Sequence, residues 1–160
     1  MKLKNKVALI TGALGGIGTA IARRFDDEGA QLALADIVKG ESPVTGARIY
    51  RRDLTQVTAC RQLAQEVIAD FGTIDILINC VGVFHTVPFN ETTEANWDLG
   101  IDTNLKGVFF LIQSIAPHMQ SHGGGKVVNL TSIAASDGFS GAHAYCAAKG
   151  GLLNLTRSLA

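Results

Sequence analysis

The sequence predicts an α/β fold in which helices cover both faces of a doubly wound parallel sheet. Three observations lead to this class. Short apolar runs alternate with amphipathic stretches along the whole chain, and such apolar strands are typical of parallel sheets buried on both faces. Apolar residues make up 47% of the 160 residues and charged residues 18%, which excludes a disordered chain and suffices for one core. Glycine is abundant, with 18 residues against three prolines, which indicates tight turns and not a linker.

Strands are predicted where apolar runs are bounded by turn residues. In chain order they cover Val7–Thr11, Gln31–Asp36, Arg48–Arg51, Asp75–Cys80 and Lys126–Thr131. Apolar residues at helical spacing predict four helices, which cover Gly16–Glu28, Val57–Phe71, Thr93–Ser121 and the residues from Ala144 onward. The Gly, Ser and Pro residues of Ile37–Ala47 predict a loop, and Gly123–Gly125 end the long helix.

The last predicted helix has an apolar face of leucines, but the sequence stops at Ala160 without a cap or a following strand. In this architecture a helix is usually followed by a further strand. We therefore expect a single domain, residues 1–160, that is incomplete at its carboxyl end. A domain that naturally ends on a helix is the alternative.

Composition and charge exclude several classes of protein. Fourteen basic residues balance fourteen acidic ones, so no nucleic-acid partner is expected. The apolar run near the N-terminus is too short for a signal peptide, and no stretch is long enough for a membrane span, which predicts a cytoplasmic protein. The three cysteines lack C-x-x-C spacing and the four histidines lack ligand spacing, so neither a disulfide framework nor a metal site is expected.

A glycine-rich turn, Thr11–Gly18 (TGALGGIG), follows the first strand and precedes a helix. Glycines at such a turn let the backbone approach a pyrophosphate, and the helix N-terminus offers free N–H groups and a positive dipole end. No Gly-Lys-Ser/Thr follows, which excludes a P-loop. The turn favours dinucleotide binding, with a purely structural strand-to-helix turn as the alternative.

Asp36 ends the second strand, where dinucleotide-binding folds place an acid on the ribose. A carboxylate there accepts hydrogen bonds from both ribose hydroxyls and repels a 2′-phosphate. Neither Leu14 nor Ile37 is basic, and Lys39 is the only nearby cation in the sequence, so NAD is favoured over NADP. The alternative is that Asp36 only caps the loop that follows it.

Tyr145 and Lys149 lie four residues apart on the last helix and therefore share one face. Ser132 follows the fifth strand, at the edge of the sheet where open α/β folds bind ligands. A nearby ammonium favours the ionised form of a tyrosine, which could then exchange a proton with a substrate oxygen held by a serine hydroxyl. A Tyr-x-x-x-Lys pair alone is weak evidence, since such pairs usually lie on a solvated helix face.

Together these residues resemble the short subgroup of the short-chain dehydrogenase/reductase family. The match runs nearly from end to end, in the family's order, through Thr11–Gly18, Asp36, Asp53-Leu54-Thr55, Asn79-Cys80-Val81-Gly82, Asn104, Ser132 and Tyr145-x-x-x-Lys149. It implies a Rossmann-type sheet with strand order 3-2-1-4-5, while strands 6 and 7 of the family have no counterpart. The short connection between Asp36 and Asp53 indicates that the helix usual there is reduced or missing. Cys80 and Val81 depart from the family's N-N-A-G or N-A-A-G motif, and little effect is expected because Asn79 and Gly82 are kept.

The resemblance implies a cofactor role for each matching residue. The pyrophosphate would be surrounded by Gly12, Gly16, Gly18 and the backbone of Leu14 and Ile17. Asp36 would bind the adenosine ribose, and Asp53 and Leu54 would lie along the adenine. The cofactor channel would be braced by Asn79 and Gly82.

The resemblance also implies catalytic roles. Tyr145 would be the acid/base and Ser132 would orient the substrate oxygen. Lys149 would bind the nicotinamide ribose and favour ionisation of the tyrosine, and Asn104 would hold a water in a proton relay to Lys149. The implied enzyme transfers a hydride between NAD(H) and a secondary alcohol or ketone.

Two alternatives of different function remain open. The turn also satisfies G-x-x-G-x-x-G through Gly12, Gly15 and Gly18, the pattern of the extended sugar-nucleotide epimerases and dehydratases. A non-catalytic dinucleotide-binding or sensor protein is the other. Phe84, Phe89 and Phe139 predict an apolar lining and therefore a hydrophobic small-molecule substrate, such as a cyclic, steroid-like or acyl ketone. The family commonly forms tetramers through the long and last helices, which implies a homo-oligomer, a tetramer or a dimer.

Overall fold

The structure, a computed structural model, describes residues 1–160. Its centre is a five-stranded parallel sheet in the order β3-β2-β1-β4-β5, which confirms the predicted class and strand order. The strands are β1 (Val7–Thr11), β2 (Gln31–Asp36), β3 (Arg48–Arg51), β4 (Ile76–Asn79) and β5 (Lys126–Asn129). The first three have the predicted bounds, and β4 and β5 are shorter than predicted by one or two residues at their ends.

Five α-helices flank the sheet. They are α1 (Gly16–Asp27), α2 (Val57–Phe71), α3 (Glu94–Ile101), α4 (Gly107–Ser121) and α5 (His143–Ser158). No helix forms between β2 and β3, as the short connection predicts. None of the helices combines the length and the apolar character needed to cross a membrane.

The long helix predicted over Thr93–Ser121 is confirmed as one helical run from Glu94 to Ser121, but it is not a regular α-helix throughout, because a π-helical turn, Asp102–Lys106, lies between α3 and α4. Asn104 lies in this turn, and its Nδ2 donates to Gly100 O at 2.9 Å. In a regular α-helix that carbonyl would accept from the backbone N–H of Asn104, so the side chain competes with the α-helical bond. Thr93 precedes the helix as its N-cap and accepts from Asn96 N–H at 3.2 Å.

The sheet separates two apolar clusters because successive side chains of a strand point to opposite faces. On the α1 face, Ala8, Ile10 and Leu34 pack with Ala22 of that helix. The opposite face packs against α2 and α4 and holds the larger cluster of 17 buried residues. This arrangement leaves the carboxyl ends of β1, β2 and β4 as one open edge, where the predicted site residues meet.

Candidate functional site

A groove of about 620 Å³ lies at the carboxyl ends of β1, β2 and β4. It brings together six residues that the sequence predicts to bind a cofactor, which are Gly12, Leu14, Asp36, Asp53, Leu54 and Gly82. Gly16, Ile17 and Gly18 form the first turn of α1. The ligand-binding edge that open α/β sheets share is therefore lined by residues from five separate segments of the chain.

The glycine turn passes very close to the segment after β4. Gly12 has φ +61°, and a Cβ there would lie 2.9 Å from Cys80 O and from the backbone of Val81. A Cβ on Gly18 would collide with Gly12 O, whereas one on Gly16 would meet no atom within 4 Å. Gly12 and Gly18 are thus required by the fold itself, and Gly16 faces open space where a ligand could approach.

Asp36 joins the glycine turn to the end of β2. Its Oδ2 accepts from Leu14 N–H at 2.9 Å and its Oδ1 accepts from Val38 N–H at 3.2 Å. The backbone N–H of Leu14 is therefore already bound to a carboxylate, while Leu14 lines the groove and the cofactor role expected for its backbone stays a prediction. The bond to Val38 is the loop cap that the sequence left open as an alternative. Each carboxylate oxygen keeps a lone pair that could accept from a ribose hydroxyl.

A second cation lies beside Asp36 in the fold, in addition to Lys39, the one that is near it in the sequence. Arg51 is the register partner of Asp36 in the β2–β3 ladder, and its Nε donates to Ile37 O at 3.1 Å. The two residues are far apart in sequence, and only the pairing of the strands brings them together.

Asp53 lines the same groove, on the segment that follows β3. Its Oδ1 accepts from Thr55 N–H at 3.0 Å and from the Thr55 hydroxyl at 2.8 Å, which fixes the carboxylate and leaves Oδ2 available. Neighbouring Leu54 is only 7% exposed. Arg52, also in the lining, forms an ion pair with Glu66 at 2.5 Å. At Asp53 and Leu54 the groove offers a carboxylate acceptor beside apolar surface, which suits a flat aromatic base with an amino group.

The hydroxyl of Thr11 holds the segment after β4 in place. It is fully buried and accepts from Cys80 N–H at 3.2 Å and Val81 N–H at 3.3 Å. The sequence indicated Thr11 only as the first residue of the glycine motif. Its role as an acceptor depends on the β1–β4 pairing, which sequence spacing does not reveal.

Asn79 is 1% exposed and lies under the groove, outside its lining. Its Nδ2 donates to Asn129 Oδ1 at 2.8 Å, Asn129 Nδ2 donates to Thr156 Oγ1 at 2.9 Å, and that hydroxyl donates to Leu152 O at 2.7 Å. We call these three side chains the Asn79–Asn129–Thr156 chain. It links β4 to β5 and to α5, the helix that carries Tyr145 and Lys149. Asn129 and Thr156 were not identified from the sequence, since no motif marks them.

Asn104 is fully buried, and both the oxygen and the nitrogen of its side-chain amide form hydrogen bonds with the segment after β4. Its Oδ1 accepts from Val83 N–H at 3.2 Å and its Nδ2 donates to Val83 O at 3.0 Å, in addition to Gly100 O. Both N–H donors of the side chain are used, while Oδ1 keeps one lone pair that could accept from a water, so the relay role expected from the sequence stays a prediction. A Cβ on Gly82 would lie 3.0 Å from Asn104 Oδ1 and 3.7 Å from Lys149 Nζ. Asn104 and Lys149 therefore both approach the backbone at Gly82.

Lys149 is 4% exposed, and its Nζ donates to Leu130 O at 2.8 Å. Burial lowers the pKa of this ammonium, and the charge of the Cys80 thiolate form acts weakly the other way. The same Nζ lies 5.7 Å from the centroid of the Tyr145 ring, whose edge-on neighbour is Phe84 at 5.0 Å. In the pair predicted from Tyr-x-x-x-Lys, Lys149 is thus buried and Tyr145 half-buried, so the pair does not lie on a solvated helix face.

Ser132 caps the 3-10 turn Ile133–Ala135, and its Oγ accepts from Ala134 N–H at 3.1 Å. The hydroxyl hydrogen stays free to donate to a substrate oxygen. Ser132, Tyr145 and Lys149 do not line the groove, and Lys149 adjoins it at Gly82. The arrangement offers a long groove for an extended ligand, with a buried ammonium and a tyrosine beyond its Gly82 end.

Comparisons with known proteins agree with this geometry. A family model described as short chain dehydrogenase matches residues 6–160. D-threitol dehydrogenase of Mycolicibacterium smegmatis is 34% identical over 99% of this chain and 65% of its own length. Galactitol 2-dehydrogenase of Agrobacterium fabrum is 36% identical over 100% of this chain and 65% of its own. The crystal structure of NAD⁺-bound xylitol dehydrogenase superposes with a TM-score of 0.94 at 32% identity, covering 100% of this chain and 65% of that one. The chain thus spans about 65% of the length of these relatives.

Proposed function

We propose that this chain, which belongs to the short-chain dehydrogenase family, acts as an oxidoreductase between NAD(H) and a secondary alcohol or ketone. The observation that carries the proposal is the single groove that runs from Asp36 to Gly82, where the buried Lys149 adjoins it beside Tyr145. One extended ligand could therefore place its adenosine at one end and its reacting ring at the other.

The residues of the groove fit a nicotinamide dinucleotide. Gly16 leaves room for a pyrophosphate at the N-terminus of α1, where N–H groups and the helix dipole favour negative charge. Asp36 has one free lone pair on each oxygen for the ribose hydroxyls, and Asp53 Oδ2 can accept from the adenine amino group. When bound, the nicotinamide supplies the hydride acceptor or donor of the reaction.

The preference for NAD rests on Asp36. A 2′-phosphate on the ribose would place negative charge beside its carboxylate, which is unfavourable. The name of the NAD⁺-bound xylitol dehydrogenase structure supports the same cofactor.

Three side chains would handle the proton and the substrate oxygen. The hydroxyl of Tyr145 would take the proton from an alcohol or return it to a ketone, as its acid/base. The buried ammonium of Lys149 attracts the negative charge that develops on that hydroxyl during the transfer. The free hydrogen of Ser132 would donate to the substrate oxygen and hold it in place.

Two substrate classes are supported by different observations. Relatives named for threitol, galactitol and xylitol favour a polyol. Phe84, which is 59% exposed beside Tyr145, favours the hydrophobic ketone predicted from the sequence. A panel of polyols and cyclic ketones, followed by NADH absorbance, separates the two. The homo-oligomer implied by the resemblance stays a prediction, which sedimentation analysis tests.

The proposal is tested with Tyr145→Phe, which removes only the hydroxyl. Turnover of the best substrate should fall by at least about a hundredfold, the usual contribution of acid/base catalysis, with NADH affinity unchanged. Tyr50→Phe is the matched control, because its hydroxyl bonds to Asp70 at 2.6 Å outside the groove lining. Full turnover by Tyr145→Phe would contradict the catalytic role, and NADH binding without any turnover by the unmodified chain would favour the sensor alternative.

A further inference from the structure

Asp36 and Arg51 lie side by side on one face of the sheet. They are partners in the β2–β3 register, and side chains of such partners point to the same face. That face is the α1 face, because Leu34 and Ile49, each two residues earlier in its strand, pack with the α1 cluster. The glycine turn is joined to Asp36 through Leu14 N–H, and Arg51, which does not itself line the groove, adjoins this corner through its register partner Asp36 and its bond to Ile37 O.

Among the arginines of β3 and of the segment that follows it, Arg51 is the one without an acidic partner. Arg48 pairs with Asp70 and Arg52 with Glu66, whereas Arg51 forms no ion pair and is exposed. Its Nε donates to Ile37 O, the residue directly after Asp36, which directs the side chain along the end of β2. The two terminal nitrogens of the guanidinium keep their N–H donors.

The carboxylate of Asp36 does not neutralise Arg51. Its oxygens are held by Leu14 N–H and Val38 N–H, and no Asp36–Arg51 ion pair forms. The adenosine end of the groove therefore has a carboxylate and an unpaired guanidinium next to each other. NADH and NADPH differ only at the ribose 2′ position, where a hydroxyl suits the carboxylate and a phosphate suits the guanidinium.

On the basis of the proposed function, we propose that Arg51 is a second determinant of cofactor choice, whose guanidinium binds the 2′-phosphate of NADP(H). Asp36 then favours NADH, while Arg51 offsets part of its repulsion of NADPH. The chain should bind NADPH measurably, though less tightly than NADH. Lys39 is the cation near Asp36 in the sequence, but it makes no hydrogen bond or ion pair that directs it to this corner. Binding of the 2′-phosphate therefore does not require Lys39.

The test compares NADH and NADPH affinities by cofactor fluorescence for the unmodified chain, Arg51→Gln, Arg51→Lys and Arg61→Gln. Arg51→Gln should weaken NADPH binding about tenfold, the loss expected for one charge-assisted hydrogen bond to phosphate. NADH binding should change by less than about twofold, and the NADPH effect should shrink at high salt because the site is exposed. Arg51→Lys keeps the charge and should retain most of the NADPH affinity. Arg61→Gln removes an exposed arginine from α2, on the other face of the sheet, and should change neither affinity.

The outcomes separate this inference from the function on which it rests. If the unmodified chain binds neither dinucleotide, the proposed function fails, and the inference fails with it. If NADH binds and NADPH does not, or if Arg51→Gln leaves NADPH affinity unchanged, only the role of Arg51 is overturned. If Arg51→Gln and Arg51→Lys weaken both cofactors equally, Arg51 only supports the loop at Ile37 and does not select the cofactor.

Discussion

The two ends of the groove hold their key groups in opposite ways. At the proposed adenosine end, Asp36 and Arg51 are accessible charges fixed mainly by backbone groups of adjoining segments. Beyond the other end, Asn104 and Lys149 are buried and are bonded to backbone from distant parts of the chain. The proposed adenosine end can therefore change its ligand preference at small structural cost, whereas the proposed catalytic end is coupled to the fold.

The largest effect on stability is expected at Gly18, where the first turn of α1 lies closest to the glycine turn. Gly18→Ala would place a Cβ against Gly12 O and should lower the free energy of unfolding by about 3 kcal/mol, the upper range for overpacking. Gly16→Ala, two residues earlier, meets no atom within 4 Å and should change it by less than about 1 kcal/mol. Urea unfolding measures both variants, and equal values would contradict the close approach.

The Asn79–Asn129–Thr156 chain tests the coupling of the catalytic end to the fold. Asn129→Ala leaves the buried amide of Asn79 without a partner, since its Oδ1 already has none. The expected loss is about 2 kcal/mol of unfolding free energy. Asn154→Ala on α5 removes only a bond to Arg157 at 3.4 Å and should cost less than about 0.5 kcal/mol. If Asn129→Ala is as stable as Asn154→Ala in urea, the chain does not hold α5 to the sheet.

The smallest effect concerns the charge of Lys149 and appears as a pH dependence. Burial holds its pKa below 10.5, so between the folded-state and unfolded-state values the unfolded chain binds more protons. The cost of burying the charge is therefore greatest below the folded-state pKa and disappears as the pH rises toward 10.5. The stability of Lys149→Met relative to the unmodified chain should decline over that range. Lys126→Met, at an exposed position, is the control, and a parallel decline there would contradict the assignment to burial.

The fold was largely predictable because its determinants are local. The apolar run Val7–Thr11, the glycines of the turn and the loop Ile37–Ala47 each determine their own conformation, and their bounds agree with the structure. The π-helical turn at Asp102–Lys106 was not predictable from periodicity. It depends on the side chain of Asn104, which binds both Gly100 and the distant Val83.

The candidate site, too, was predictable only where its determinants are local in the sequence. Asp36 and the glycines follow from motifs close together in sequence, and six of the predicted cofactor residues line one groove. Arg51, Thr11 and Asn129 act through strand pairing, because each meets its partner only once the sheet has formed. Residue spacing carries no information about such contacts, so they were missed.

We propose that one groove, from Asp36 to Gly82, receives the dinucleotide. Amide chemical shifts recorded while NADH is added to the isotope-labelled chain test this binding site directly. We expect changes at Gly12–Gly18, near Asp36 and at Gly82–Val83. Changes confined to the separate surface depression of about 530 Å³ between α1 and the loop, lined by Arg23, Asp27 and Thr45, would contradict it. The absence of any change would contradict it equally.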